Sequence, residues 1–163
     1  MKKLFCTLFA LLGALPAVFA QDVPFDKKLF KDNKRAFKDA EDQFEDGMDW
    51  QMDGAYHHAL DYYLKAYEFN PKSAELNFRI GLCYMLSPND VRTDCLPYFE
   101  KAYELNPGIR TSIHYFLGRA YHYHAQWDKA IEEYKRYSNA FGNRPPIEDI
   151  VERGLEWTAP EEL

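Results

Sequence analysis

Histidines are the residues of this 163-residue chain whose spacing first suggests chemistry. His57 and His58 are adjacent, and His122 and His124 are separated by one residue. Adjacent or alternate residues of a helix point in different directions, whereas a spacing of four presents two ligands to one metal ion. We therefore expect these histidines to lie at the surface or in a groove, and we predict that the protein holds no metal and no other cofactor.

Acidic side chains are the next candidates, because paired carboxylates can act as acid and base. Two groups have helical spacings: Glu132 and Glu133, and Asp42, Glu45 and Asp46. Acids at such spacings usually form the solvated face of a helix. The chain also has no nucleophile elbow, no phosphate-binding glycine loop and no zinc signature. We predict that it is not an enzyme.

Two cysteines, Cys83 and Cys95, lie beyond the N-terminal apolar stretch. In an exported protein they could form a disulfide if their Cα atoms approach within about 7 Å. The alternative is that they remain free, because both occupy small-residue positions in predicted helices and a buried free cysteine is ordinary in a core. The sequence leaves both states open.

The first 20 residues are organised like a secretory signal peptide. Lys2 and Lys3 precede an apolar run over residues 4–19, and Ala20 ends a small–aromatic–small tripeptide. A membrane anchor is the alternative, but the run is shorter than the roughly 20 apolar residues that a spanning helix needs. Cys6 lies too early to be a lipidated cysteine after cleavage. We predict cleavage after Ala20 and no integral membrane anchor in the processed protein.

Bulk charge excludes several classes of partner. The chain has 20 basic and 26 acidic residues and a net charge of −6. Residues 1–20 contain two lysines and no acids, so their removal leaves 143 residues with a net charge of −8. Such a chain repels phosphate backbones and anionic lipid, and we predict that it does not bind nucleic acid. Its length suffices for one compact domain, and 17% aromatic residues indicate a folded one.

Helices are the elements that would position these side chains. Apolar residues recur at steps of three and four, and turn signals fall at 53–54, 87–90 and 107–108. No segment alternates as a strand would. We predict an all-α chain with helices near 26–48, 55–69, 73–86, 92–105, 111–124, 127–141 and 146–156.

Small and aromatic residues recur in three similar series. The first is Gly47, Ala59, Tyr63, Ala66 and Pro71; the second is Gly81, Cys95, Phe99, Ala102 and Pro107; the third is Gly118, Ala130 and Tyr134. A glycine in the first helix of a pair would let the small residue of the second approach closely, with the aromatic residue filling the space beside it. Glycine costs about 1 kcal/mol in a helix relative to alanine, so its recurrence favours a packing role over three unrelated hairpins.

These series resemble the tetratricopeptide repeat (TPR), a helix pair with a period of 34 residues, which is the separation of Gly47 and Gly81. Two segments resemble the signature of its first helix: Phe78, Ile80, Gly81 and Tyr84, and His114, Leu117, Gly118 and Tyr121. The resemblance covers roughly residues 40–142. Departures include about two extra residues in the turn at 87–94, and Cys95 in an alanine position.

The resemblance implies an α-solenoid of three TPR helix pairs with an extended N-terminal helix and a C-terminal capping helix. TPR arrays bind partners and are seldom enzymes. We divide the chain accordingly into a signal peptide at 1–20, an N-terminal helix at 21–39, repeats at 40–73, 74–110 and 111–144, a capping helix at 145–157 and a tail at 158–163.

A narrower resemblance concerns residues 96–107, 113–121 and 128–134. They are similar to the periplasmic TPR segment that precedes a β-propeller and an OmpA-like domain in certain Bacteroidetes envelope proteins. This likeness implies export to the periplasm and a scaffold role in the cell envelope. The 163 residues have no room for either further domain, so we do not extend the likeness to peptidoglycan binding.

The TPR resemblance also implies which residues line the concave face. The matching positions are Phe44, Met48, Gln51, Met52, Phe78, Leu82, Met85, Tyr115, Arg119, His122 and Tyr123. This set is apolar and aromatic, and its methionines can adapt to varied shapes. Arg119 is its one cation, suited to a carboxylate or a peptide terminus. We predict that this face binds a protein or peptide segment.

Other occupants of this face stay open. The first helix, the C-terminal cap or a second copy of the chain could cover it. If a second copy covers it, the protein would be a self-associating structural subunit of an envelope complex, serving secretion, motility or a peptidoglycan-linked process. A homo-oligomer belongs to this alternative.

Overall fold

Turn residues divide the chain into six α-helices over the residues that the computed structural model describes, 21–87 and 90–141. The α-helices are α1 (Lys34–Met52), α2 (Tyr56–Phe69), α3 (Ala74–Leu86), α4 (Leu96–Leu105), α5 (Ile113–Tyr123) and α6 (Trp127–Phe141). Short 3-10 helices at Lys31–Asn33 and Asp90–Cys95 precede α1 and α4. No strand occurs in these residues, and the all-α prediction is confirmed for them. The predicted signal peptide, capping helix and tail lie outside the described residues.

Local chemistry sets the helix ends. Asn70 and Asn106 each end a helix directly before a proline, whose ring disfavours helical angles in the preceding residue. Ser73 caps α3, its hydroxyl accepting a hydrogen bond from a backbone N–H of the first turn. Positive φ angles occur in two further turns, at Gly54 between α1 and α2 and at Ala125 between α5 and α6.

The beginning of α1 differs from the predicted extended N-terminal helix. The prediction placed its start at residue 26, whereas α1 begins at Lys34. Phe25 and Phe30 instead fold back onto Phe37, with ring centroids 6.2 and 5.2 Å away. Asp26 accepts a hydrogen bond from the backbone N–H two residues on, which favours a turn. Burial of these aromatic rings therefore replaces the first two turns of the predicted helix.

The helices pack in sequential pairs, α1 on α2, α3 on α4 and α5 on α6, and contacts of α2 with α3 and of α4 with α5 join the pairs. Two apolar clusters form the core of residues 21–87 and 90–141. One surrounds Tyr63 and Ile80, and the other surrounds Phe78, Phe99 and Phe116. Because α3 contributes to both clusters, it is the most completely buried helix and holds the first two pairs together.

Each repeated glycine lies against the ring of its repeated aromatic residue. An added side-chain carbon would lie 2.6 Å from Tyr63 at Gly47, 2.9 Å from Phe99 at Gly81 and 2.6 Å from Tyr134 at Gly118. The glycines are therefore closely packed, but the nearest neighbour is the aromatic ring and not the small residue that was predicted to lie against each glycine. The other repeat positions are buried at Ala59, Ala66, Cys95, Ala102 and Ala130, half-buried at Tyr84 and Tyr121, and exposed at Pro71 and Pro107.

Candidate interaction surface

Three of the predicted lining residues do not face solvent. Phe78, Leu82 and Met85 are only 0%, 1% and 2% exposed. The ring of Phe78 packs edge-on against Phe116 of α5 at 5.3 Å, so the next helix pair covers this face of α3. The prediction that these three residues line an open face is wrong. They belong to the core.

The lining residues predicted on α1 remain partly accessible. Phe44, Met48 and Gln51 are half-buried, and Met52, at the end of the helix, is 83% exposed. Phe44 does not face an open groove, because Phe25 stacks on it with ring centroids 5.0 Å apart and planes 6° apart. The N-terminal segment of the chain thus covers part of the predicted face.

A polar network that the sequence analysis missed links this region together. Glu75 accepts hydrogen bonds from Arg79 Nε and Arg110 Nη2, both at 2.7 Å. Arg79 Nη1 lies 3.2 Å from Gln51 Oε1, which also accepts a hydrogen bond from Tyr63 Oη at 2.7 Å. The network joins α1, α2, α3 and the turn before α5. The spacing of four between Glu75 and Arg79 was a sequence signal for one of these bonds.

Four predicted lining residues of α5 form one stripe, since Tyr115, Arg119, His122 and Tyr123 recur at helical steps. Arg119 donates a hydrogen bond to Tyr123 Oη at 2.7 Å, and its guanidinium lies 5.8 Å from the ring centroids of both Tyr115 and Tyr123. No acidic side chain forms an ion pair with it within residues 21–87 and 90–141. A half-buried cation without an acidic partner is suited to bind one from another molecule.

Exposed aromatic surface continues from this stripe onto α6. The ring of His122 packs against Trp127 at 4.9 Å, and Trp127 is 55% exposed. Arg119 was predicted to be the one cation of the concave face, but Arg79 and Arg110 also contact residues that were predicted to line that face. Arg79 lies over Phe44 and Arg110 over Phe78, at 5.7 and 5.3 Å from the ring centroids. Both share Glu75 as an ion-pair partner, whereas Arg119 has no such partner among the residues that the structure describes.

The four closely spaced histidines are exposed, as predicted. His58 packs against Trp50 with ring centroids 5.0 Å apart. The fifth, His114, forms a 2.6 Å contact with the buried carboxylate of Glu133 and ties α5 to α6. In the part of the chain that the structure describes, no three histidine, cysteine or acidic residues are grouped as metal ligands would be.

Cys83 and Cys95 are both free and buried. They lie in different apolar clusters, Cys83 beside Tyr63 and Cys95 beside Phe99. Burial raises the pKa of each thiol to about 12. The reactive thiolate is therefore scarce at neutral pH, and neither residue is suited to act as a nucleophile. Of the two states that the sequence allowed, the structure has the free thiols.

No protein-family model matches the chain, and no curated protein is significantly similar to it. Among the described helices, none combines the length and the apolar character that crossing a membrane requires.

Proposed function

We propose that the protein is an exported, non-catalytic scaffold of TPR type that binds a protein or peptide segment in the cell envelope. The observation that carries this proposal is the glycine–aromatic contact repeated in three sequential helix pairs. Such repetition is typical of arrays in which each pair stacks on the next and the combined surface serves recognition. Export is supported by the sequence pattern of residues 1–20, and the periplasmic compartment by the narrower resemblance.

The α5 stripe is the part of the surface that best supports partner binding. Tyrosine, tryptophan and arginine dominate the energetics of protein interfaces, and the stripe with Trp127 supplies all three. Tyr115 and Tyr123 restrain the Arg119 side chain, which lowers the entropy that it would lose on binding. We infer that Arg119 receives an acidic side chain or a terminal carboxylate of the partner.

The direct test is a charge reversal at Arg119. Immobilised chain would be incubated with envelope extract, and bound proteins would be quantified for the unsubstituted chain, Arg119→Glu and Arg35→Glu. Arg35 is exposed on α1 and makes the same charge change away from the stripe. We expect at least a tenfold loss of a specific partner for Arg119→Glu and little change for Arg35→Glu. Equal capture by both variants would remove Arg119 from the site.

A self-associating structural subunit remains the second candidate. Large apolar side chains at the surface favour it: Leu29, Trp50, Met52, Trp127 and Ile131 are all exposed. Exposed apolar patches often mark contacts between proteins. Solution mass measured over a hundredfold range of concentration distinguishes the candidates. A dimer that dissociates on dilution, and that Met52→Ser or Trp127→Ser weakens, would support self-association. A monomer at all concentrations would exclude it.

A further inference from the structure

Asp22 anchors the N-terminal segment to both helices of the second pair, α3 and α4. Its Oδ1 atom accepts a hydrogen bond from the backbone N–H of Ala74, at the start of α3, at 2.9 Å. Its Oδ2 atom lies 3.3 Å from the amide nitrogen of Asn106, at the end of α4. One carboxylate therefore bridges positions 32 residues apart in the sequence, from Ala74 to Asn106.

The following residues extend this contact along the molecule. The N–H of Val23 donates to the carbonyl of Lys72 at 2.9 Å, and the carbonyl of Val23 accepts from the Asn70 side chain at 2.8 Å. Both backbone polar groups of Val23 are thus paired, as they are when an extended peptide is recognised through its main chain. Phe25 then stacks on Phe44.

The surface that receives this segment is built from equivalent residues of two repeats. Asn70 and Asn106 each precede the proline that closes the second helix of a pair. The Oδ1 atom of Asn106 accepts the N–H of Gly108 at 3.0 Å, which fixes the orientation of its NH₂ group toward Asp22. The N-terminus of α3 carries a partial positive charge that favours a carboxylate. The receiving groups are therefore held in place by the fold itself.

The segment has the properties of a replaceable ligand. Asp22, Val23 and Phe25 are only half-buried, and Pro24 is exposed. Residues near a chain terminus detach more readily than core elements. Asp22 would be the second residue of the chain after the predicted cleavage, which places the segment at a free end.

We propose that residues 22–25 are a built-in ligand for a peptide-binding site formed by Asn70, Asn106, the N-terminus of α3 and Phe44. A partner displaces the segment with an extended peptide of the same chemistry, a carboxylate followed three residues later by an aromatic ring. This inference rests on the proposed scaffold function and names a ligand for it. The segment keeps the site covered until such a partner competes with it.

Peptide binding to a chain whose own segment is weakened tests the proposal. The full chain with Asp22→Ala and Phe25→Ala would be titrated into a fluorescent peptide of residues 21–27, followed by anisotropy. We expect it to bind the peptide at least tenfold more tightly than the unsubstituted chain, because a tethered segment competes at a high effective concentration. Adding Asn106→Ala should weaken binding at least tenfold, whereas Asn139→Ala, an exposed residue of α6, should not.

Two results would overturn the inference. One is a double variant with an intact helical circular-dichroism signal that binds no peptide. The other is equal binding of a control peptide carrying both alanines. If the double variant loses its helical signal, the titration is made with the single variant Asp22→Ala, because Phe25 then keeps its contact with Phe44. If the peptide does not bind but the chain still captures a partner that Arg119→Glu loses, this inference is overturned and the proposed scaffold function stands. If the peptide binds but no captured partner depends on Arg119, the role assigned to Arg119 is overturned and the peptide-binding site is retained.

Discussion

The repeated glycines differ in how much room their neighbours can make. Tyr63, which covers Gly47, is fully buried and bonded to Gln51, whereas Tyr134, which covers Gly118, is only half-buried. A methyl group needs the ring to move at both places, since each would lie 2.6 Å from it. Only Tyr134 has solvent on one side to move into. Equal spacing in the sequence thus conceals unequal packing.

We predict that Gly47→Ala destabilises the fold more than Gly118→Ala. Overpacking costs about 1–3 kcal/mol, and alanine returns about 1 kcal/mol of helix propensity. The upper part of the overpacking range applies to the enclosed Tyr63 ring and the lower end to the half-buried Tyr134 ring, so we expect a net loss of about 1–2 kcal/mol at Gly47 and a change near zero at Gly118. Urea unfolding followed by circular dichroism gives both free energies. A Gly47→Ala variant as stable as the unsubstituted chain would contradict the close packing at this glycine.

A second prediction at the residue scale compares Phe78 with Met52, two positions that were assigned to the same face. Phe78 is completely buried and Met52 is 83% exposed. Phe78→Ala should lower the free energy of unfolding by about 3–5 kcal/mol, the usual cost of removing a buried ring. Met52→Ala should change it by less than about 0.5 kcal/mol. Similar urea midpoints for the two variants would show that Phe78 is not a core residue.

Among the secondary-structure elements, helix-breaking and capping residues explain which helix bounds the sequence could predict. The ends of α2, α3, α5 and α6 lie within two residues of the predicted bounds. Proline, glycine or a capping serine marks most of these ends. Residues 26–33 have no such breaker, and α1 was predicted to begin too early because Phe25 and Phe30 make their contacts through tertiary structure. Helical periodicity cannot report that competition.

The candidate site shows a similar division. The sequence places Tyr115, Arg119 and Tyr123 on one stripe because helical spacing alone decides it. It could not show that α5 buries Phe78, because burial depends on how one pair stacks on the next. The bond between Glu75 and Arg110 joins residues 35 positions apart, and no local pattern signals it.

Glu75 supports a prediction about how the elements are joined. Its carboxylate holds Arg79 of α3 and Arg110 of the turn before α5. Glu75→Gln should cost about 1–2 kcal/mol, less than a fully buried pair, because these side chains are 21–30% exposed. Glu104→Gln is the matched control, since its ion pair with Lys101 is exposed and worth below about 1 kcal/mol. Equal urea midpoints for the two variants would exclude a structural role for the network.

The whole molecule buries several groups that would ionise in alkali. Burial raises the pKa of the Cys83 and Cys95 thiols to about 12. Burial is also the main reason that the pKa of the Tyr98 and Tyr134 hydroxyls is raised to about 12. In an unfolded chain these groups lose their protons near pH 8.5 for cysteine and about 10 for tyrosine. The folded state therefore holds more protons than the unfolded state above about pH 9, and stability must fall as the pH rises there.

We predict an alkaline loss of stability that depends on these buried groups. Stability should be fully retained up to about pH 8, below the pKa of the unfolded thiols, and should decline from about pH 9 to about pH 12, where the folded groups also ionise. Urea midpoints measured across this range give the slope. Cys83→Ala removes one buried thiol and should make the decline shallower, whereas Asp61→Ala, at an exposed position of α2, should leave it unchanged. A midpoint constant to pH 11 would mean that the thiols of Cys83 and Cys95 are accessible to water, and that the helix pairs do not close around them.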